Sequence, residues 1–265
     1  MASEEVAVRV KSFLRETLDH AQKQLRGRPQ QMVGEPVHEA RKSIKQLRAV
    51  LRLAREMADK EKLESVATHL REAAHRLGPL RDAEVLRATI QGLKKRDEPA
   101  PPPMEIGDPR AVLRQTRAHL RQAATALRKL IDSEWDTDGL KAGLRRLYKR
   151  SRHAMRQARK SESDDHLHLW RRRTKDLYYA LKVLPGDGGD RALIKKIEQI
   201  TSHLGDDHDL AFLQQHVSSQ APGTSHHSLL RRAKKRRGPL QKKAFKKGRR
   251  VLNQSARAFA RRILG

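Results

Sequence analysis

The chain has no cysteine and only nine aromatic residues among its 265. Without cysteine there are no disulfide frameworks, thiol nucleophiles or cysteine zinc sites. So few aromatics argue against modules that bind nucleic acid by stacking bases on aromatic platforms. No apolar run approaches the ~18 residues of a membrane span. The opening Met1-Ala2-Ser3-Glu4-Glu5 has neither the basic nor the apolar stretch of a secretory leader. The expectation is a soluble, cytoplasmic protein. Acid is scarce: 31 Asp and Glu face 59 Lys and Arg, for a net charge of +28 and a pI near 11.1. Such a charge repels itself unless anions compensate it. There is no Gly-x-Ser-x-Gly, Walker loop or Gly-x-Gly-x-x-Gly, so neither nucleophilic catalysis nor nucleotide hydrolysis is indicated, and no cofactor or enzymatic activity is expected.

Helix formers dominate and β-branched residues are sparse, which predicts an all-α fold. Periodic segments run roughly over 4–26, 36–57, 60–77, 79–96, 110–132, 137–160, 164–184, 190–204, 207–217 and 226–263. The one long breaker stretch is the proline-rich linker 97–109, from Asp97 to Pro109, which divides halves of about 4–96 and 110–217. Shorter breaks stand at Gly27–Pro29, Gly34–Pro36, Ser161–Asp165, Pro185–Asp190 and Pro222–Ser225. Asp209 is the last acid, and the 56 residues after it carry 15 Lys and Arg. The C-terminal extension 221–265 keeps Leu229, Ala233, Leu240, Ala244, Val251 and Phe259 within this charge. An amphipathic helix is therefore as good a reading as an anion-binding tail, and 231–250 would serve as a nucleic-acid patch by charge alone.

The chain also repeats itself. A shift of 130 residues lays Val37–Leu47 on Leu167–Leu177, matching His38 with His168, Arg41 with Arg171, Lys45 with Lys175 and Leu47 with Leu177. A shift of 127 lays Leu77-Gly78-Pro79-Leu80-Arg81-Asp82 on Leu204-Gly205-Asp206-Asp207-His208-Asp209. Two blocks in the same order, with three residues of slippage, indicate an internal duplication. On a helix counted from Val37, Ala40, Ile44, Leu47, Leu51 and Ala54 fall at about 260–340°. His38, Arg41, Lys42, Lys45, Arg48 and Arg52 fall beside them at about 20–140°. In the second copy His168, Arg171, Lys175 and Lys182 take the corresponding angles, with Tyr178 where the first has Arg48. A solvated face mixes signs to form i,i+4 pairs, so one stripe of unpaired cations is tolerable where something anionic sits. Arg offers a planar fork to phosphate oxygens and Lys a point charge. Histidines among so many cations should stay neutral at pH 7.

Metal ligation is a weaker use of His38 and His168, because no acid or thiol stands at ligand spacing near them. His203, Asp206, Asp207, His208 and Asp209 read in two ways. They are either a metal cluster of a phosphohydrolase or, more plainly, the acidic N-terminal cap of a helix that begins after a stop at Leu204-Gly205. The second account is preferred, so no metal site is expected. Arg81-Asp82 and His208-Asp209 read as bases oriented by carboxylates.

His38-x-x-Arg41-Lys42-x-x-Lys45-x-x-Arg48, Leu77-Gly78-Pro79-Leu80-Arg81-Asp82 and His168-x-x-Arg171-x-x-x-Lys175-x-x-Tyr178-Tyr179 with Leu204-Gly205 resemble the CHAD domain, the conserved-histidine α-helical domain. The resemblance spans roughly residues 4–262. It implies two pseudo-symmetric four-helix bundles with a basic channel between them, binding of inorganic polyphosphate without catalysis, and in some members a place on polyphosphate granules. Carried onto this chain, it implies a site of His38, Arg41, Lys42, Lys45, Arg48, Arg52 and Arg81, with His168, Arg171, Arg172, Lys175 and Tyr179. A preceding basic helix would add Arg145, Tyr148, Arg152 and Arg156. The second block departs from the family in reading Tyr178-Tyr179 where Arg-Tyr is usual, and the Glu-x-Glu-x-Lys motif of a preceding triphosphate-tunnel domain is missing.

Overall fold

The computed structural model describes residues 3–27, 34–161, 163–184, 191–220 and 226–265. The breaks expected at Pro29, Pro185–Asp190 and Pro222–Ser225 lie outside these residues. Among the described residues there are ten α-helices and no strand. They are α1 (Ser3–Gln24), α2 (Glu35–Leu53), α3 (Lys60–Arg76), α4 (Gly78–Leu93), α5 (Pro109–Ile131), α6 (Gly139–Ser161), α7 (Asp164–Val183), α8 (Arg191–Gln220), α9 (His227–Val251) and α10 (Ala256–Leu264). A 3-10 turn, Ala54–Glu56, extends α2. No helix among the described residues is long and apolar enough to cross a membrane.

Local chemistry sets several boundaries. Asp59 caps α3 by accepting the Lys62 N–H at 2.8 Å. Asp108 caps α5 by accepting from the Arg110 and Ala111 N–H groups at 2.9 and 3.2 Å, with Pro109 in the first turn where no donor is needed. Ser163 and Ser255 cap α7 and α10 in the same way. Two expectations are corrected. Leu204-Gly205 does not stop a helix, because α8 runs unbroken from Arg191 to Gln220 and the acids after Gly205 are interior residues, not caps. The segment expected over 226–263 is broken at Leu252–Ser255, so α10 is a separate helix.

Packing pairs α1 with α2, α3 with α5, α6 with α7 and α8 with α9. Although α5 follows the linker, it lies against α3 and α1, while α4 reaches across to α8. In the middle, α2 packs directly on α7. The apolar stripe of α2 is buried as its angles require, with Val37, Ala40, Ile44, Leu47 and Leu51 inside the main core. A smaller apolar cluster of Leu86, Ile90, Leu210, Leu213, Leu229 and Ala233 ties α4, α8 and α9 together. The acid-free C-terminal segment is thus integral to the fold. Leu229, Ala233, Ala244 and Val251 are buried beneath its cations, and Phe259 of α10 stacks on Tyr148 of α6 at 4.2 Å.

Close approach of α6 to the end of α2 depends on two glycines. A Cβ on Gly143 would stand 2.1 Å from the Leu53 carbonyl oxygen, and one on Gly139 would stand 1.9 Å from that of Glu56. These neighbours are backbone and cannot rotate away. Gly143→Ala is therefore expected to destabilise the fold by about 1–3 kcal/mol, seen as a lowered denaturation midpoint. An unchanged midpoint would mean that α6 and α2 do not meet this closely.

Candidate anion-binding site

The seam between α2 and α7 opens into a cavity of about 740 Å³. From α2 it receives His38, Arg41, Lys42, Lys45, Arg48 and Arg52, and from α7 His168, Arg171, Arg172, Lys175, Tyr178, Tyr179 and Lys182. Helix α4 adds Arg81 and Asp82, and α8 adds Glu198, His208, Asp209 and Phe212. Ten Lys and Arg therefore face one space, against four carboxylates. The two repeated blocks, 130 residues apart in the chain, are brought face to face. No serine, threonine or cysteine stands among the described lining residues.

Of the residues expected at the site, those of α2, α4 and α7 line this cavity; Arg145, Tyr148, Arg152 and Arg156 of α6 do not. The C-terminal segment takes up part of that set instead. Tyr148 is fully buried and its hydroxyl lies 3.2 Å from the Val251 and Gln254 carbonyl oxygens, while Arg152 donates to Gln254 O at 2.7 Å. The expected set omits Lys182, although its angle puts it in the basic stripe, and His208, although the 127-residue shift places it on Arg81. It also omits the lining carboxylates: Asp82 and Asp209, read only as orienting their neighbours, and Asp176 and Glu198, which carry no pattern of their own.

Burial and like charge dominate the electrostatics. Lys45 opens into the cavity, yet the surrounding protein, followed by Arg41, Arg171, Lys175 and Arg81, lowers its pKa to about 7. Lys175 is lowered to about 8, by burial first and then by Arg171, against the opposing pull of Glu198. Its ammonium lies 5.5 Å from the ring centres of Tyr178 and Tyr179, within cation–π range. His168 and His208 approach Nδ1 to Nδ1 at 3.2 Å, a contact in which one ring donates and the other accepts. Burial lowers both, His208 to about 4, so this pair is neutral at pH 7. The carboxyls of Asp82 and Asp209 are pushed up by burial, against the pull of neighbouring cations.

Two arginines at equivalent positions of the repeat each lie beside a glycine. Arg41 donates to the Ala74 carbonyl oxygen at 2.9 Å, and a Cβ on Gly78 would lie 3.7 Å from its Nη1. Arg171 lies across Gly205, where a Cβ would stand 3.4 Å from its Nε and Nη2. The duplicated Leu-Gly is thus a floor for a guanidinium. The Nε of each is buried with no hydrogen-bond partner among the described residues.

The acidic run of 203–209 is dispersed by the helix that carries it. Asp207 is buried under α9, accepting from Arg237 Nε and Gln241 Nε2, both at 2.9 Å. His203 is lowered by burial and then by Lys247 and Lys243 of α9, whereas His208 and Asp209 face the cavity. No group of three or more His, Asp or Glu side chains placed to hold a metal ion stands among the described residues.

The family described as CHAD domain matches residues 12–218. No curated protein matches the chain. Among solved structures, the crystal structure of the CHAD domain from the plant Ricinus communis is similar, with a TM-score of 0.57 and 18% identity over 94% of this chain and 93% of that one. At that identity the likeness speaks for the fold.

The lowered amines set a pH dependence. In the unfolded chain lysine holds its proton up to about 10.4, whereas folded Lys45 and Lys175 release theirs from about 7 and 8 upward. The unfolded state therefore binds more protons in this window, and stability of the unliganded fold rises with pH through it. A polyanion bound in this cavity would restore these pKa values, so its binding is expected to take up protons and its affinity to fall as pH climbs from about 7 to about 9. Calorimetric titration in buffers of different ionisation enthalpy reads this uptake directly. Proton-neutral binding across that window would place the anion elsewhere.

Proposed function

The chain belongs to the CHAD domain family, and on that premise we propose that it is a non-enzymatic protein that binds inorganic polyphosphate in the cavity between α2 and α7. The observation that carries this reading is the convergence of ten Lys and Arg side chains from three helices, α2, α4 and α7, on one space with four carboxylates. Two of those acids are already engaged: Asp176 accepts from Arg52 at 3.1 Å, and Glu198 from the Tyr178 hydroxyl at 2.5 Å. Polyphosphate is a slender, flexible chain with a charge on every unit, which suits a recess lined by a row of Lys and Arg. A nucleic-acid duplex, a stiff rod with its phosphates outside, suits an outer surface instead. The same reading makes the chain a duplicated pair of four-helix bundles that share the basic channel, supported by the parallel packing of α1 on α2 and α6 on α7, and of α3 on α5 and α8 on α9. It places the protein in the cytoplasm, on polyphosphate granules.

A second reading has an observation of its own. The outward face of α9 exposes Arg231, Lys234, Lys235, Arg236, Lys242, Lys243, Lys246, Arg249 and Arg250, with no acid on the helix. This stripe runs for about 28 Å, enough to lie along a nucleic-acid backbone. Removing residues 221–265 cannot separate the readings, because it would strip buried side chains from α6 and α8.

Two sets of point changes do separate them. Arg41→Glu, Lys45→Glu, Arg171→Glu and Lys175→Glu together are expected to weaken long-chain polyphosphate binding by at least about a hundredfold. The four corresponding Gln changes serve as the milder version, and circular dichroism should report retained helicity in both. Lys234→Glu, Lys242→Glu, Lys246→Glu and Arg249→Glu are expected to weaken it only about threefold. The reverse ranking would assign polyphosphate to α9.

A further inference from the structure

The cationic lining does not end with the first cavity. Arg48 and Arg52 also line a second recess of about 410 Å³, enclosed by the end of α2, α3 and α6. Five more cations face it: Arg55, Lys60, Arg71, Arg146 and Arg150. Its one acid, Glu64, is engaged by Arg71 at 2.7 Å. Arg146 is held by Glu56 and by the Arg52 carbonyl oxygen, and its buried Nε has no partner among the described residues. No ion pair or side-chain hydrogen bond among the described residues claims Arg48, Arg55, Lys60 or Arg150.

The two recesses are joined by one element. Arg41, Lys45, Arg48, Arg52 and Arg55 follow one another at intervals of four, three, four and three residues along α2 and its terminal 3-10 turn. That spacing keeps them on one face. Arg41 and Lys45 belong to the first cavity, Arg48 and Arg52 to both, and Arg55 to the second alone. The row is about 20 Å long. A solvated stripe would alternate in sign. This one meets a single acid in the second recess, and its cations repel one another: burial first and then Arg52, Arg172 and Arg71 outweigh Asp176 to lower Arg48. Small anions would neutralise such a row only piecewise, whereas a chain of phosphates would follow it.

We propose that the recess bounded by Arg55, Lys60, Arg146 and Arg150 is a second subsite for a phosphate chain, reached from the first cavity past Arg48 and Arg52. This rests on the polyphosphate reading above and adds a direction and a length requirement to it. Tripolyphosphate fits within the first cavity alone, while a long chain engages both. Affinity should then depend on the second recess only for long chains.

The test titrates the full-length protein and the variant Arg55→Gln/Arg150→Gln with tripolyphosphate and with long-chain polyphosphate at one fixed salt concentration. Both changed side chains are exposed, and Arg150 lies among other arginines, so helicity should be retained. The expected result is an approximately tenfold loss of affinity for the long chain and less than about a twofold change for tripolyphosphate. The salt dependence of long-chain binding should flatten by roughly one to two units of slope. A control, Arg87→Gln/Arg121→Gln, removes two exposed cations elsewhere and should leave both affinities within about twofold. Equal long-chain affinity in wild type and the Arg55/Arg150 variant, or an equal loss in the control, would overturn the subsite. Were wild type to bind neither ligand, the polyphosphate reading itself would fall and the subsite with it.

Discussion

Mutual repulsion among cations held between α2 and α7 is the constraint to which the rest of the molecule answers. Four carboxylates do not offset ten Lys and Arg side chains. The walls that hold these charges also shield them from water, which strengthens every like-charge contact. The folded chain tolerates this because the opposite face of each helix is apolar and fully engaged. Ile44, Leu47 and Leu51 behind the stripe of α2, and Trp170, Leu177 and Leu181 behind that of α7, belong to one continuous core. Burial of that core stabilises the pairing that brings the charges together. The site is thus a region of local electrostatic strain, relieved in part by lowering the pKa of Lys45 and Lys175.

Placement within the site follows from small residues as much as from charged ones. Gly78 and Gly205 let Arg41 and Arg171 lie flat against α4 and α8, and the Ala74 carbonyl orients the first of them. The corresponding positions then diverge. The first copy has Arg81 paired with Glu84 at 2.7 Å, while the second has His208 against His168. Asp82 and Asp209 occupy matching places and are both pushed up by burial. One half of the cavity therefore carries a permanent guanidinium where the other carries a neutral imidazole, so the two ends offer an anion different fields.

The α2 stripe was legible from the sequence because a 3.6-residue period sorts apolar from basic side chains without reference to any other helix. The repeat added the second wall, since a duplicated stripe implies two elements with one task. What failed depended on tertiary context. Leu204-Gly205 has the local look of a helix end, but the glycine serves Arg171 from another helix and α8 continues through it. The basic run on α6 looks like a third wall, yet Tyr148 and Arg152 are spoken for by the loop before α10, more than a hundred residues away. The second recess has no motif at all, because Lys60 of α3 and Arg146 and Arg150 of α6 meet the end of α2 only through folding. The C-terminal block could not be resolved by charge, and its scattered Leu, Ala and Phe side chains settle it as helix packed on α8 and α6.

The central claim is that a shaped cavity, rather than overall charge, selects the ligand. It is tested most directly by competition: labelled long-chain polyphosphate on the wild-type protein is displaced by unlabelled polyphosphate, heparin and duplex DNA at one fixed salt concentration, compared per unit of charge. Salt must be held constant because counterion release alone shifts such affinities by orders of magnitude. The account predicts that polyphosphate competes at least about tenfold better than either of the others. Equal competition by all three would contradict it, and would make the protein a general cationic surface.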